Sequence, residues 1–186
     1  MLVKRAMSKN VVSVSVPGNR EKVLDLMRKE DKAVLPVVKG DTKQLVGLIT
    51  RSDLIVNPDE EQIAILMSTD LVTASPDDDV KDVAKKMIDN NVRRVPVVDD
   101  NGDLVGIITS FDLVSNALIK LESDDPVENF MITTVPTTWY KTPLNVAFET
   151  MKQFGLKSVL ALNDSAKLVG ILTETDFIEE SEIISE

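Results

Sequence analysis

Along the middle of the chain the apolar positions follow two periods. From Val80 the residues Val80, Val83, Ala84 and Met87 fall at i, i+3, i+4 and i+7, with Lys81, Asp82, Lys85 and Lys86 between them. That spacing predicts a helix with one face in a core and the other in water. The preceding stretch "DLVTAS" is short and rich in β-formers, and Pro76 with Asp77, Asp78 and Asp79 supplies the acidic start that suits a helix N-terminus. After the helix, "VRRVPVV" and "DLVGIIT" predict two strands joined at Asp100-Asn101-Gly102, where Asn-Gly offers the positive φ values of a tight hairpin. A second helix is predicted from near Phe111 toward Leu121. The unit is therefore β-α-β-β-α, an α+β arrangement.

The same unit is written three times. "LVGLITRSD" begins at Leu45, "LVGIITSFD" at Leu104 and "LVGILTETD" at Leu168, 59 and 64 residues apart. In step with them, "MSKNVVSV", "MSTDLVTA" and "MITTVPTT" begin at Met7, Met67 and Met131. Val23 and Met27 occupy the helix face in the first copy, and Leu144, Ala147 and Met151 in the third. The period divides the chain into repeats at 1–58, 59–122 and 123–186. A unit of this size buries only about 60% of the surface its unfolded chain exposes, so the copies are expected to pack on one another. An odd number then predicts either a homodimer through the third copy or a missing fourth.

Charge narrows the function. Against 21 Lys and Arg stand 31 Asp and Glu, a net charge of −10, and the pI is about 4.6. Such a surface repels nucleic-acid phosphates and anionic membranes, so neither is an expected partner. With no Cys and no His, disulfides, thiolate or Ser-His catalysis and the usual zinc and haem sites are excluded. No pair of carboxylates stands beside a nucleophile, a base or a metal-ligand spacing, so an enzyme is not expected and no cofactor is required. The start "MLVKRAMSKN" lacks the apolar core of a signal peptide, and no run approaches the roughly 20 apolar residues that cross a bilayer, which predicts a cytoplasmic protein.

Each repeated phrase ends in Thr-x-x-Asp: Thr50 to Asp53, Thr109 to Asp112 and Thr173 to Asp176, each where a strand turns into a helix. Two roles fit. One is a capping box, in which hydroxyl and carboxylate satisfy the first N–H groups of the helix, stabilising it by about 1 kcal/mol. The other is a ligand site, in which N–H groups at the turn and the Thr hydroxyl face a phosphate while the carboxylate accepts from ribose hydroxyls. Gly47, Gly106 and Gly170 either permit close backbone approach or mark a bulge or tight sheet contact. In so acidic a chain a phosphate needs local cations. Arg93 and Arg94 precede Pro96, Lys32 precedes Pro36, and Arg51 lies inside the first motif. The third copy has Leu160 in place of the Pro, Ser158 in place of Arg94, and Glu174 inside its motif, so phosphate is not expected there.

At this point "MSTDLVTASPDDDVKDVAKKMIDNNVRRVPVVDDNGDLVGIITSFDLV" resembles a CBS domain, named after cystathionine β-synthase, and all three copies fit. The resemblance implies tandem pairs, or Bateman modules, with the first two copies packed sheet to sheet around two clefts that take AMP, ADP, ATP or S-adenosylmethionine. It assigns ribose binding to Asp112, a phosphate contact to Thr109 and assistance to Arg94, with Asn10, Val12 and Ala33 opposite them holding adenine. In the other cleft it assigns Asp53 and Thr50, with Asp70, Val72 and Val92 opposite. There Val34 stands where Arg94 stands in its copy, and Arg51 is the cation near enough to compensate. Thr173 and Asp176 are the matching residues of the third copy. The implied function is a regulatory sensor of an adenine nucleotide or S-adenosylmethionine that shifts the assembly, or its contact with an unknown regulated protein. The alternative is a ligand-free scaffold for protein interaction and oligomerisation. Under the sensor reading the third copy supplies dimerisation or the partner surface, with the acidic tail "FIEESEIISE" solvated.

Overall fold

The structure, a computed structural model, describes residues 1–115 and 126–177. The chain forms two compact units, Met1–Glu122 and Ser123–Glu186.

Unit 1 holds the first two repeats. The first contributes β1 (Val14–Val16), α1 (Arg20–Lys29), β2 (Val34–Lys39), β3 (Leu45–Thr50) and α2 (Arg51–Val56). Strand β1 runs parallel to β2, and β2 antiparallel to β3. After α3 (Ile63–Leu66), the second repeat adds α4 (Val80–Asp89), β4 (Arg94–Val98), β5 (Leu104–Thr109) and α5 (Ser110–Leu113). Helix α4 buries Val80, Val83 and Met87, the face its spacing predicts.

Two local expectations change. The strand expected at "DLVTAS" shrinks to a single bridge between Ala74 and Val97. Pro76 stands where Val16 stands in the first repeat and has no N–H to give, and the Ser75 N–H is taken by Asp78 Oδ2 at 3.1 Å. The β4–β5 turn has only Gly102 at positive φ, 80°. Asn101 needs none, because Asp99 Oδ1 accepts the N–H groups of Asn101 and Asp103 at 2.9 and 3.0 Å and holds a longer loop closed. The predicted second helix lies outside the described residues beyond 115, as does the tail beyond 177.

The short segment ahead of each repeat crosses to its neighbour. The 3-10 turn Val3–Arg5 places Val3 and Ala6 in the core of the second repeat, with Val80, Val83, Val95 and Ile108. Helix α3 places Ile63 and Leu66 in the core of the first, with Val23, Met27, Leu35 and Ile49. The residues that follow pair with the foreign sheet: Ser8 with Ile107 of β5, and Ser68 with Leu48 of β3. Met7 then lies over Gly106 and Met67 over Gly47, where an added Cβ would come within 2.5 Å of the sulfur. These glycines therefore admit a methionine from the other repeat, which is the tight-contact alternative. The hairpins also join, with Leu45 N–H donating to Gly102 O at 3.1 Å and Leu104 N–H to Lys43 O at 2.8 Å.

Unit 2 is built from β6 (Thr137–Trp139), α6 (Leu144–Phe154), β7 (Ser158–Leu162) and β8 (Leu168–Thr173), in the sheet order of the first repeat. Ala147 and Met151 are buried, but Leu144, expected on the same face, is exposed. Its counterpart Val80 is covered because Met1 O accepts the Val80 N–H at 2.9 Å and Val3 N–H donates to Asp78 O at 3.0 Å.

Candidate functional site

Between the two repeats of unit 1 lies a cavity of about 310 Å³. The first repeat lines it with Asn10, Val12, Lys32 and Ala33, and the second with Arg94 and Thr109. Arg94 opens β4 and Thr109 closes β5, and the two are register partners, so the antiparallel ladder sets both at one edge of the sheet. Asn10 and Val12 lead into β1, while Lys32 and Ala33 lead into β2. Lys32 and Arg94 are exposed, and neither forms an ion pair among the described residues. They put two cations from two repeats on one hollow of an acidic chain. Asp31, held at φ 48°, adds one carboxylate to the wall.

Asp112 sits one step behind this wall. Its Oδ2 accepts the Thr109 N–H at 2.8 Å and the Thr109 hydroxyl at 2.6 Å, and its own N–H donates to Thr109 Oγ1 at 3.1 Å. The capping box is complete, and no described residue donates to Oδ1. This changes the chemistry expected of the turn. The Thr109 hydroxyl proton is held by a carboxylate and the Ser110 N–H by Arg93 O at 2.9 Å, so these donors are not aimed at a phosphate. The charge that would hold one comes from Lys32 and Arg94, while Asp112 keeps one oxygen to accept hydroxyls.

None of Thr50, Asp53, Asp70, Val72 and Val92 lines this cavity. Thr50 and Asp53 form the same box: Asp53 Oδ2 accepts the Thr50 N–H at 2.8 Å and hydroxyl at 2.7 Å. Val72 and Val92 pack against the core of the second repeat, and Asp70 is exposed. Arg51 lies mostly covered, with Nη2 3.9 Å from Asp31 Oδ1, so it engages a wall of the first cavity. In unit 2, Asp176 Oδ2 accepts the Thr173 N–H and hydroxyl at 2.7 and 2.9 Å, and Glu174 pairs with Lys157 at 3.0 Å. That ion pair neutralises the lysine standing where Arg93 stands in the second repeat. A larger hollow in unit 2, about 440 Å³ and lined by Pro136, Met151, Phe154 and Val159 among others, has no charged side chain to select an anion.

Lys32 enters the sequence only as a nearby cation, yet it is a wall of the cavity beside Ser8 and Asp31. Its position just ahead of the second strand, the same that leads to Arg94 in the next repeat, was the available signal. No described helix is long and apolar enough to cross a membrane. No metal-binding cluster of acidic side chains occurs among the described residues.

Comparison with known proteins agrees with this architecture. The CBS domain profile matches residues 3–58, 61–118 and 127–182. The uncharacterized protein MJ1225 of Methanocaldococcus jannaschii is 23% identical over 96% of this chain and 70% of its own. Its crystal structure superposes with a TM-score of 0.87 at 22% identity, covering 96% of this chain and 72% of that one, which shows a shared fold. The uncharacterized protein MJ1404 of the same organism is 29% identical over 96% of this chain, which spans only 43% of that relative. The CBS domain pair of protein MJ0100 is 33% identical with a TM-score of 0.56, over 61% of this chain and 92% of that one. It was crystallised with 5′-methylthioadenosine and S-adenosyl-L-methionine. With three profile matches covering most of its length and a pair fold shared across relatives, this chain is a member of the CBS domain family.

Proposed function

We propose that the chain is a regulatory sensor of a phosphate-bearing adenosine compound, with AMP the simplest, bound between the first two repeats. The observation that carries this is the pair of cations, Lys32 and Arg94, on one cavity of about 310 Å³ with no ion-pair partner among the described residues. A hollow of this size is at the lower end of small-molecule sites. The related pair crystallised with two adenosine compounds supports the nucleoside part. S-adenosylmethionine carries a sulfonium cation, which two unpaired cations disfavour, so a nucleotide is the better match here. Asn10, Val12 and Ala33 would hold the base, Asp112 Oδ1 the ribose, and Arg94 with Lys32 the phosphate. A ligand touching both repeats biases whichever arrangement fits it better, and that population shift is what a regulated protein would read.

Thermal unfolding tests this. AMP at about 100 times its Kd should stabilise the chain by roughly 2.7 kcal/mol. Asp112→Ala should abolish most of that gain while lowering unliganded stability by about 1 kcal/mol through loss of the cap. The complete capping boxes at Thr50–Asp53 and Thr109–Asp112 support the second reading, a ligand-free interaction scaffold. Under it Asp112→Ala costs the same 1 kcal/mol or so and no adenosine compound moves the midpoint.

A further inference from the structure

The segment 8–13 is a partition between two hollows. Ser8, Asn10 and Val12 line the cavity described above, Lys9 and Ser13 line a second one of about 190 Å³, and Val11 belongs to both. The loop between β2 and β3 adds Thr42 and Lys43 to the second hollow, and Val38 and Leu104 give it apolar surface. Strand β5 pins both lysine-bearing segments. Ser8 N–H donates to Ile107 O at 2.9 Å and Ile107 N–H to Ser8 O at 3.0 Å, while Lys43 O accepts the Leu104 N–H at 2.8 Å. No carboxylate among the described residues lines this hollow. Neither lysine forms an ion pair among the described residues, although Asp41 and Asp103 are close in sequence.

We infer that this hollow binds a small tetrahedral oxyanion, inorganic phosphate being the type, at a site distinct from the cavity of Lys32 and Arg94. Two ammonium groups on one hollow with no counter-charge repel each other, and an anion between them reverses the sign of that interaction. The Ser13 hydroxyl lines the same hollow and has no hydrogen bond among the described residues, whereas the Thr42 hydroxyl gives its proton to Lys39 O at 2.6 Å. A tetrahedral ion presents oxygens in several directions, so it accepts from two lysines on separate segments and from a serine at once. The hollow is smaller than the roughly 300 Å³ at which sites for larger organic ligands begin, which suits a single ion and not a nucleoside. The fold does not require these lysines. Their positions hold Thr69 and Gly102 in the second repeat and Thr133 and Ala166 in the third, and the same strand pair closes in all three. Since Asn10, Lys32 and Arg94 line the other hollow, the site stands whether or not that one holds a nucleotide.

Orthophosphate titrated into the isotope-labelled full chain, followed through its backbone amide resonances, tests this. The shifts should saturate with a Kd of about 1 mM, the scale of a few exposed charged contacts, and centre on Lys9, Val11, Ser13, Lys43 and Leu104. Sulfate should reproduce them, and chloride at equal ionic strength should not. The double variant Lys9→Ala/Lys43→Ala should bind at least about tenfold more weakly with an unchanged circular dichroism spectrum, because both lysines are exposed. Lys9→Gln/Lys43→Gln, which keeps most of each stem, should lose as much, so that charge and not packing is what the ion reads. Shifts that never saturate, or that chloride matches, overturn the inference, since the lysines are then only solvated. So does undiminished binding by either double variant. Shifts that vanish in Lys32→Ala/Arg94→Ala overturn it as well, because the phosphate would then lie in the first cavity.

Discussion

The two faces of unit 1 are related by its internal repeat, yet they are chemically unlike. On one, Asn10, Lys32 and Arg94 gather at a cavity; at the equivalent positions of the other stand Asp70, Val92 and Val34. An amide has become a carboxylate and both cations have become valines. Backbone and capping are the same on both sides, down to carboxylate contacts of 2.7 and 2.6 Å to the Thr hydroxyls. The duplicated backbone thus carries unlike side chains at equivalent positions, and the cavity described above gathers the cationic set.

The comparison can be broken most strongly by reversing charge. Arg94→Glu should weaken AMP binding about a hundredfold, the scale of losing a charge-assisted contact and adding repulsion. Asp70→Lys, at the position equivalent to Asn10 and outside the cavity's lining, should change it less than about twofold. Calorimetric titration of both reads the contrast directly. A milder change is Lys32→Ala, for which a loss of about threefold to tenfold is expected, shrinking as salt is added because the lysine is exposed.

The smallest effect lies in the two helix caps. Asn19 caps α1 and Asp79 caps α4. The Lys81 N–H first, and then the Met1 amino group 2.9 Å away, hold the Asp79 carboxyl below its usual value of 3.8. A lowered carboxyl pKa contributes stability that is complete above the unfolded value and lost as pH falls through the folded one. Asp79→Asn should keep the cap, making it resemble Asn19, and flatten the acid limb of the stability profile below about pH 4. Urea unfolding across that range checks it.

Much of this architecture was legible in the sequence. The i, i+3, i+4, i+7 face of α4 and the three Thr-x-x-Asp turns are local patterns, set by helix periodicity and by the hydrogen bonds of a cap, and they formed where the spacing predicts. The strand at "DLVTAS" did not, because apolar content says nothing about which N–H groups remain free once Pro76 and Asp78 have taken their part. Arg94, Thr109, Asn10, Val12 and Ala33 meet at one cavity, a set carried by family resemblance. Lys32 needed the structure, since the sequence places it 62 residues from Arg94. At the turn the sequence left two roles open, a cap or a ligand site, and the capping box is the one that formed, with the Thr109 hydroxyl proton given to the Asp112 carboxylate. The segment exchange was also invisible, because the buried Val3 and Ile63 carry no mark of which core receives them.

That exchange has a consequence for how the molecule comes apart. A protease nick in the exposed stretch 57–59 would sever the chain yet leave each fragment gripping the other, because each lends one arm and receives one. The two pieces, expressed separately, should reassemble without a covalent tether, which makes this loop a natural seam for a split reporter whose reconstitution follows the fit between its halves.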